Sequence, residues 1–115
     1  MTETEKYKRV IDLIKIKAEE ILPPGSTVTL FGSRARGDYR NDSDWDIHIL
    51  TPGPEKIDFH HAYDNYVYPF ELLGFDLEEE INPIIHTFSG WEKCKGILLY
   101  YNIREEGKII YDSTK

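Results

Sequence analysis

The chain has 115 residues, of which 40% are hydrophobic and 13% are aromatic, and it carries a formal charge of −7. This length and composition predict a single folded domain over residues 1–115 and argue against a disordered chain. The excess of 21 acidic over 14 basic residues argues against direct nucleic-acid binding through a positive field. It fits an acidic site that needs cations to accept a phosphorylated substrate, and equally an acidic surface that only confers solubility.

The chain also lacks the signals of secretion and of membrane insertion. Cys94 is the only cysteine, so no internal disulfide can form. Charged residues follow Met1 where a signal peptide would be apolar, and no apolar run approaches the roughly 20 residues of a membrane span. We therefore expect a soluble, cytoplasmic protein.

The N-terminal part of the chain shows a helix followed by a strand. Apolar residues at three-and-four spacing predict a helix over Glu3–Leu22, which a capping box opens and a Pro-Pro-Gly turn ends. Thr27–Phe31 is β-branched and apolar and predicts a strand. Ser33 is then the expected N-cap of a short helical turn that ends at Arg36.

The second strand, Trp45–Leu50, alternates between two kinds of side chain. Apolar side chains occupy one face, namely Trp45, Ile47 and Ile49. Polar side chains occupy the other face, namely Asp44, Asp46 and His48.

The remaining elements follow from the apolar periodicity and from the proline and glycine residues that interrupt it. Pro69 predicts a break or kink near Tyr68, with a further helical turn through Leu72-Leu73 to Gly74 as a candidate. Pro83 predicts that the third strand lies at a sheet edge or a bulge. The last helical segment is expected in two pieces, broken near Gly96. In order, the expected elements are a helix over Glu55–Tyr68, a strand over Glu80–Thr87, helices from Ser89 or Gly90 to before Gly107, and a strand over Lys108–Tyr111. The order predicts an α/β (α+β) fold, with helices packed on a small mixed β-sheet.

Two carboxylates at the start of the second strand are the strongest candidates for chemistry. Residues i and i+2 of a strand project to the same face, so Asp44 and Asp46 point together and repel each other unless a cation relieves them. Mg²⁺ is typically shared between one or two carboxylates and substrate phosphates. We therefore expect Asp44 and Asp46 to bind Mg²⁺.

The Gly32-Ser33 turn supplies a candidate phosphate site opposite these carboxylates. Glycine lets a phosphate approach the backbone closely, and free N–H groups and the Ser33 hydroxyl are donors for an anion. Arg34 and Arg36 are candidates to neutralise phosphate oxygens. For Arg36, an ion pair with Asp38, Asp42 or Asp44 is an equally good interpretation.

These residues carry a family resemblance. Gly32-Ser33, ten intervening residues and Asp44-Trp45-Asp46 resemble the signature of the nucleotidyltransferase superfamily related to DNA polymerase β, and the fuller run Phe31–Gly37 is similar to its minimal nucleotidyltransferase branch. The resemblance implies that Gly32 and Ser33 hold a nucleotide triphosphate and that Asp44 and Asp46 ligate two Mg²⁺ ions. It further implies transfer of a nucleoside monophosphate, AMP from ATP above all, with pyrophosphate leaving.

The sequence departs from that family in two ways. Members usually carry a third carboxylate on a later strand, where this chain has Asn82; Glu80 or Asp76 are the candidates to replace it, and either is equally well an ordinary solvated acid. The chain also has no room for an acceptor-binding domain. The minimal branch is often paired with a small helical protein in toxin–antitoxin modules, so the resemblance implies an acceptor hydroxyl on such a partner, while assembly with further copies of this chain stays open.

Three functions therefore compete at the level of sequence. The first is transfer of AMP to a partner hydroxyl, and the second is an inactive antitoxin or regulatory module that only binds its partner. The third is transfer to a small molecule such as an aminoglycoside in a pocket between two subunits. Outside the site, His48 is expected to pack and hydrogen-bond rather than bind metal. The remaining acids are expected to be solvated, namely Glu78, Glu79, Glu105 and Glu106.

Overall fold

A computed structural model describes residues 1–115 as four strands, six α-helices and one π-helical segment. The strands are β1 Thr27–Phe31, β2 Trp45–Thr51, β3 Ile81–Thr87 and β4 Lys108–Asp112. The α-helices are α1 Glu3–Ile21, α2 Ser33–Arg36, α3 Phe59–Ala62, α4 Tyr68–Leu77, α5 Phe88–Glu92 and α6 Leu98–Glu106, and the π-helical segment is Tyr63–Val67.

The four strands form one mixed sheet in the order β3-β2-β1-β4. β1 pairs antiparallel with both β2 and β4, whereas β2 and β3 are parallel. The predicted mixed sheet is therefore confirmed. Pro83 lies in β3, which is an edge strand, and edge strands are where a sheet tolerates proline.

Helices cover both faces of the sheet and so create two apolar clusters. The larger cluster lies between the sheet and helices α1 and α4, and it contains the fully buried side chains Trp45, Ile47 and Ile49 of β2. The smaller cluster lies under α5 and α6 and consists of Phe31, Trp91 and Ile103. The predicted alternation along β2 is confirmed, because its apolar face meets α1 and α4 while its polar face turns towards α5 and α6.

Helix α1 begins as predicted. The Thr2 hydroxyl accepts from the Glu5 N–H, and the Glu5 carboxylate accepts from the Thr2 N–H, each at 3.1 Å. This capping box satisfies two of the N–H groups that a helix start leaves without partners, and such a cap contributes about 1 kcal/mol.

The predicted helix over Glu55–Tyr68 is wrong at its start, because it begins only at Phe59, where Asp58 accepts from the His61 N–H. The disturbance expected near Tyr68 is present as a change of helix type between Val67 and Tyr68, and the helix then continues to Leu77. The chain widens over Tyr63–Val67, and the Tyr68 N–H bonds back five residues to the Tyr63 carbonyl. Pro69 then lies in the first turn of α4, where a missing N–H is tolerated.

None of the helices is both long enough and apolar enough to cross a membrane. The two pieces of the last helical segment are α5 and α6, so the break expected near Gly96 is confirmed.

Candidate active site

The two predicted carboxylates converge on a single point at the start of β2. Asn82 Nδ2 donates to Asp44 Oδ2 at 3.1 Å and to Asp46 Oδ1 at 3.3 Å. The parallel register, which pairs Asp46 with Asn82, brings the amide to this position. Two oxygens that share one donor atom are also placed to share one cation.

Gly32 forms the wall next to this pair. Phe31 pairs with Asp46 across β1 and β2, so the following residue lies beside the Asp46 carboxylate. Gly32 has a φ of +75°, and a Cβ added there would overlap Asp46 Oδ2. Only glycine therefore fits here, and Gly32 rather than Ser33 is the N-cap of α2, which corrects the predicted cap.

A further acidic residue, Glu106, reaches the site from the C-terminal end of α6. Its Oε1 accepts from the Gly32 N–H at 3.0 Å, and its two oxygens accept from Arg36 Nη1 at 3.2 Å each. The expectation that Glu106 is simply solvated is wrong, and so is that for Glu79, which accepts from Trp45 Nε1 at 2.9 Å. No local pattern could have revealed these contacts, because Gly32 and Arg36 lie 74 and 70 positions before Glu106 and only the packing of α6 on the sheet brings them together.

Arg36 is exposed and forms ion pairs with Glu106 and with Asp38, whose Oδ2 lies 3.3 Å from Arg36 Nε. The structure pairs it with neither Asp42 nor Asp44, the other two candidates of the sequence. Hydrogen bonds to Glu106, and then to Asp38, raise the pKa of Arg36. The Arg36 guanidinium lies near the Gly32 N–H, because both groups donate to Glu106 Oε1.

Arg34 occupies a different place from the one predicted. Its side chain is fully buried, lies between the rings of Tyr39 and Trp45, and donates through Nη2 to the carbonyls of Asn41 and Ser43. The predicted contact of Arg34 with nucleotide phosphates is therefore contradicted. Arg34 instead holds the loop over residues 37–43, which leads the chain to the first carboxylate.

Of the two candidates for a third carboxylate, Glu80 lies at the site. The Trp45 N–H donates to the Glu80 carbonyl at 2.8 Å, which holds this residue beside the start of β2. A hydrogen bond with Asp44, and then the charge of Asp44, raise the pKa of the exposed Glu80 carboxyl. Asp76 lies on α4 and is exposed, with no contact to these groups.

The electrostatics around Asp44 and Asp46 favour the binding of a cation. Burial raises the pKa of Asp46, and the charges of Asp44 and Glu106 act in the same direction, whereas the hydrogen bond from Asn82 and the charge of Arg36 lower it. Four acidic side chains thus meet around one glycine turn with one exposed guanidinium. Ionised carboxylates held this close are relieved when a divalent ion binds between them.

The available ligands, Asp44 and Asp46, fit Mg²⁺ better than a metal that protein side chains must surround completely. No three His, Cys, Asp or Glu side chains form a metal-binding cluster in the structure. Mg²⁺ keeps several waters and takes one or two carboxylates together with substrate phosphates, which is what Asp44 and Asp46 can offer. The missing Cβ at Gly32 lets the Asp46 carboxylate lie directly against the backbone of the turn.

His48 lies on the same face of β2 but is buried away from solvent. It is 1% exposed, its Nε2 lies 2.9 Å from His86 Nδ1, and its ring packs on Trp91. Burial, and then the neighbouring His86, lower its pKa to about 3. The predicted packing and hydrogen-bonding role is therefore confirmed.

Comparison with known proteins identifies the family. Residues 10–110 match the nucleotidyltransferase domain family, which is most of the chain. The chain belongs to this family. It is a nucleotidyltransferase enzyme with the mixed-sheet fold predicted for it.

Relatives of this nucleotidyltransferase agree with that assignment. A protein of Methanocaldococcus jannaschii named "Putative protein adenylyltransferase" is 30% identical over 111 residues, which are 96% of this chain and 100% of the relative. A crystal structure described as a "putative nucleotidyltransferase" from Sulfolobus solfataricus has a TM-score of 0.65 at 26% identity and covers 97% of this chain and 88% of its own.

A second crystal structure shares the fold alone. It is described as a toxin–antitoxin with AMP-PNP, and it has a TM-score of 0.65 at 18% identity. The match covers 89% of this nucleotidyltransferase and 73% of that chain.

Proposed function

We propose that this nucleotidyltransferase uses Mg²⁺ to transfer AMP from ATP to a hydroxyl group on a partner protein, acting from a single domain. The observation that carries the proposal is the convergence of Asp44 Oδ2 and Asp46 Oδ1 on one point beside Gly32. The relative from Methanocaldococcus jannaschii, whose name is that of a protein adenylyltransferase, supports AMP and a protein acceptor. The toxin–antitoxin structure that shares this fold, and is described with AMP-PNP, supports an adenine nucleotide and a protein partner.

Each side chain of the site has a role in this reaction. Asp44 and Asp46 hold the metal, which supplies charge neutralisation for the phosphate oxygens. Gly32 and Ser33 offer backbone N–H groups, and Ser33 a hydroxyl, to the triphosphate. Arg36 adds a positive charge from the exposed side of the turn.

The chemistry is a displacement at phosphorus. The acceptor oxygen forms a bond to the α-phosphorus, the bond from that phosphorus to the bridging oxygen of the β-phosphate breaks, and pyrophosphate leaves with the electron pair. The hydroxyl proton goes to a base. Glu80 is the group we assign to this step, because it is exposed and lies beside Asp44.

The direct test is label transfer to the protein encoded next to this gene. The full chain is incubated with that protein, Mg²⁺ and ATP labelled either at the α- or at the γ-phosphate. We expect label from α-ATP only, since γ-label leaves with pyrophosphate. Asp46→Asn should abolish transfer, and the matched control Asp42→Asn, an exposed aspartate of the preceding loop, should keep it. Equal background for all three proteins would refute the proposal.

A second function, partner binding without turnover, is favoured by one observation. An amide, Asn82, stands between the carboxylates where a third acid would complete the site, and it cannot accept a proton. This function predicts that Asp44→Ala and Asp46→Ala leave the inhibition of a toxic partner intact in growing cells. Loss of inhibition in both variants, with partner binding unchanged, would exclude it.

A further inference from the structure

Asn82 is the one neutral side chain that touches both carboxylates of the site. Its amide nitrogen lies 3.1 Å from Asp44 Oδ2 and 3.3 Å from Asp46 Oδ1. It belongs to β3, which is held in parallel register against β2 by a continuous ladder from Trp45–Ile81 to Thr51–Thr87. The position of the amide is therefore set by the sheet and not by a mobile loop.

The NH₂ group in this position competes with a cation for the same two oxygens. An N–H donor and a metal ion both seek carboxylate lone pairs, and an N–H pointing at a bound cation would be repelled by it. The two ends of an asparagine amide are nearly equal in size, so a half-turn about the last side-chain bond exchanges NH₂ for the carbonyl oxygen. That oxygen is an acceptable Mg²⁺ ligand, as in protein kinases, where an asparagine helps to hold the metal.

We propose that Asn82 is a third metal ligand of this nucleotidyltransferase, donating to the carboxylates in the metal-free protein and turning its Oδ1 to the ion when metal binds. The inference rests on the metal dependence of the proposed function. It gives a ligand set of two carboxylates and one neutral oxygen, which has one negative charge fewer than three carboxylates would have. Such a site holds a bare ion less tightly and relies more on metal that arrives together with the triphosphate.

The proposal also assigns removal of the hydroxyl proton to a residue other than Asn82. A neutral amide oxygen can ligate a cation but cannot take the proton of the acceptor hydroxyl. Metal binding and proton removal are thus divided between Asn82 and Glu80, which lie two positions apart on the chain. This division follows from the side chains present and requires no further group.

The test measures metal affinity and not turnover. Binding of Mn²⁺ to the full chain without nucleotide is followed by electron paramagnetic resonance for the original chain, Asn82→Ala, Asn82→Asp and the control Asn65→Ala, an exposed asparagine of the π-helical segment. We expect Asn82→Ala to weaken Mn²⁺ binding by about tenfold, Asn82→Asp to tighten it by about tenfold, and Asn65→Ala to leave it unchanged.

The outcomes separate this inference from the proposed function. Unchanged or tighter binding in Asn82→Ala would overturn it, because removing a competing donor without losing a ligand has that effect. Absence of Mn²⁺ binding in both the original chain and Asn82→Asp would overturn the metal role and this inference with it. Weakened binding in a folded Asn82→Ala, verified by its melting temperature, would sustain the inference even if no label transfer is found.

Discussion

Gly32 is the residue at which the backbone and the carboxylate pair come closest. Alanine at position 32 would be unfavourable for two reasons, because φ is +75° and because the new Cβ would overlap Asp46 Oδ2. Gly37 offers a matched control. Its φ of +93° is also unfavourable for alanine, although it lies in the left-handed region and Gly32 does not, and no atom lies within 4 Å of an added Cβ.

We expect Gly32→Ala to lower transfer activity by about 100-fold, since a shift of a reacting group by about 1 Å has effects of that size. Gly37→Ala should retain activity, while both variants lose about 1–3 kcal/mol of unfolding free energy because their backbones have positive φ. Transfer assays and urea unfolding measure the two effects. Equal loss of activity in both variants would show that strain, and not the displaced carboxylate, is the cause.

His48 makes stability depend on pH. Its pKa is about 3 in the folded protein against an ordinary value of 6.5, so between these values the unfolded chain binds more protons. Unfolding free energy should therefore fall as the pH is lowered below 6.5, by up to about 1.4 kcal/mol per pH unit for this one group. Urea unfolding between pH 6.5 and pH 5 measures the slope.

The His48→Gln variant should show a flatter pH dependence than the original chain. His60→Gln, the matched substitution of an exposed histidine on α3, should keep the original slope. The acidic residues with raised pKa values, Asp46 and Glu80, contribute with the opposite sign, because protonation stabilises the folded state for them. A slope unaffected by His48→Gln would contradict the assignment.

At the scale of elements, helix α6 connects the second apolar cluster with the site. Ile103 packs the helix on the sheet, and Glu106 follows three residues later on the same side of the helix. The Glu106 carboxylate accepts hydrogen bonds from the Gly32 N–H and from Arg36. These are two of the donors that the proposed function assigns to the triphosphate. The nucleotide must then displace the Glu106 carboxylate.

We expect Glu106→Gln to bind a non-hydrolysable ATP analogue with Mg²⁺ about tenfold more tightly, because a neutral amide competes less well for Arg36 and does not repel phosphate. Calorimetric titration measures the affinity. Glu105→Gln removes the neighbouring exposed charge and should leave affinity within about twofold. Weaker binding in Glu106→Gln would instead assign Glu106 a supporting role in the nucleotide site.

At the scale of the whole molecule, a net charge of −7 coincides with a local gathering of acids at one end of the sheet. A divalent ion that binds only the folded state stabilises it by mass action, by about 1 kcal/mol at about five times its dissociation constant. For a chain of this size, that energy raises the melting temperature by about 4 °C.

Thermal unfolding with and without Mg²⁺ therefore measures metal binding by the intact protein. The rise should disappear in Asp46→Asn and should not be reproduced by NaCl at equal ionic strength, which screens exposed charges without entering the site. A rise that persists in Asp46→Asn would place the ion elsewhere on the acidic surface.

Local sequence determined much of this protein. The apolar period of α1, the alternation along β2 and the edge position of the strand with Pro83 all follow from neighbouring residues, and so does the same-face placement of Asp44 and Asp46. Each depends on spacings of two to four residues, which the geometry of strands and helices converts directly into shared faces.

Tertiary structure alone decided which distant side chains complete the site. Arg34 and Arg36 lie two residues apart and look alike in the sequence, yet the first is buried under the loop and the second is exposed beside Glu106. Glu106 and Asn82 reach the carboxylates only because α6 packs on the sheet and β3 pairs in parallel with β2. These contacts span 36 to 74 residues, and no local pattern encodes them, because they depend on how separate elements bury their apolar faces together.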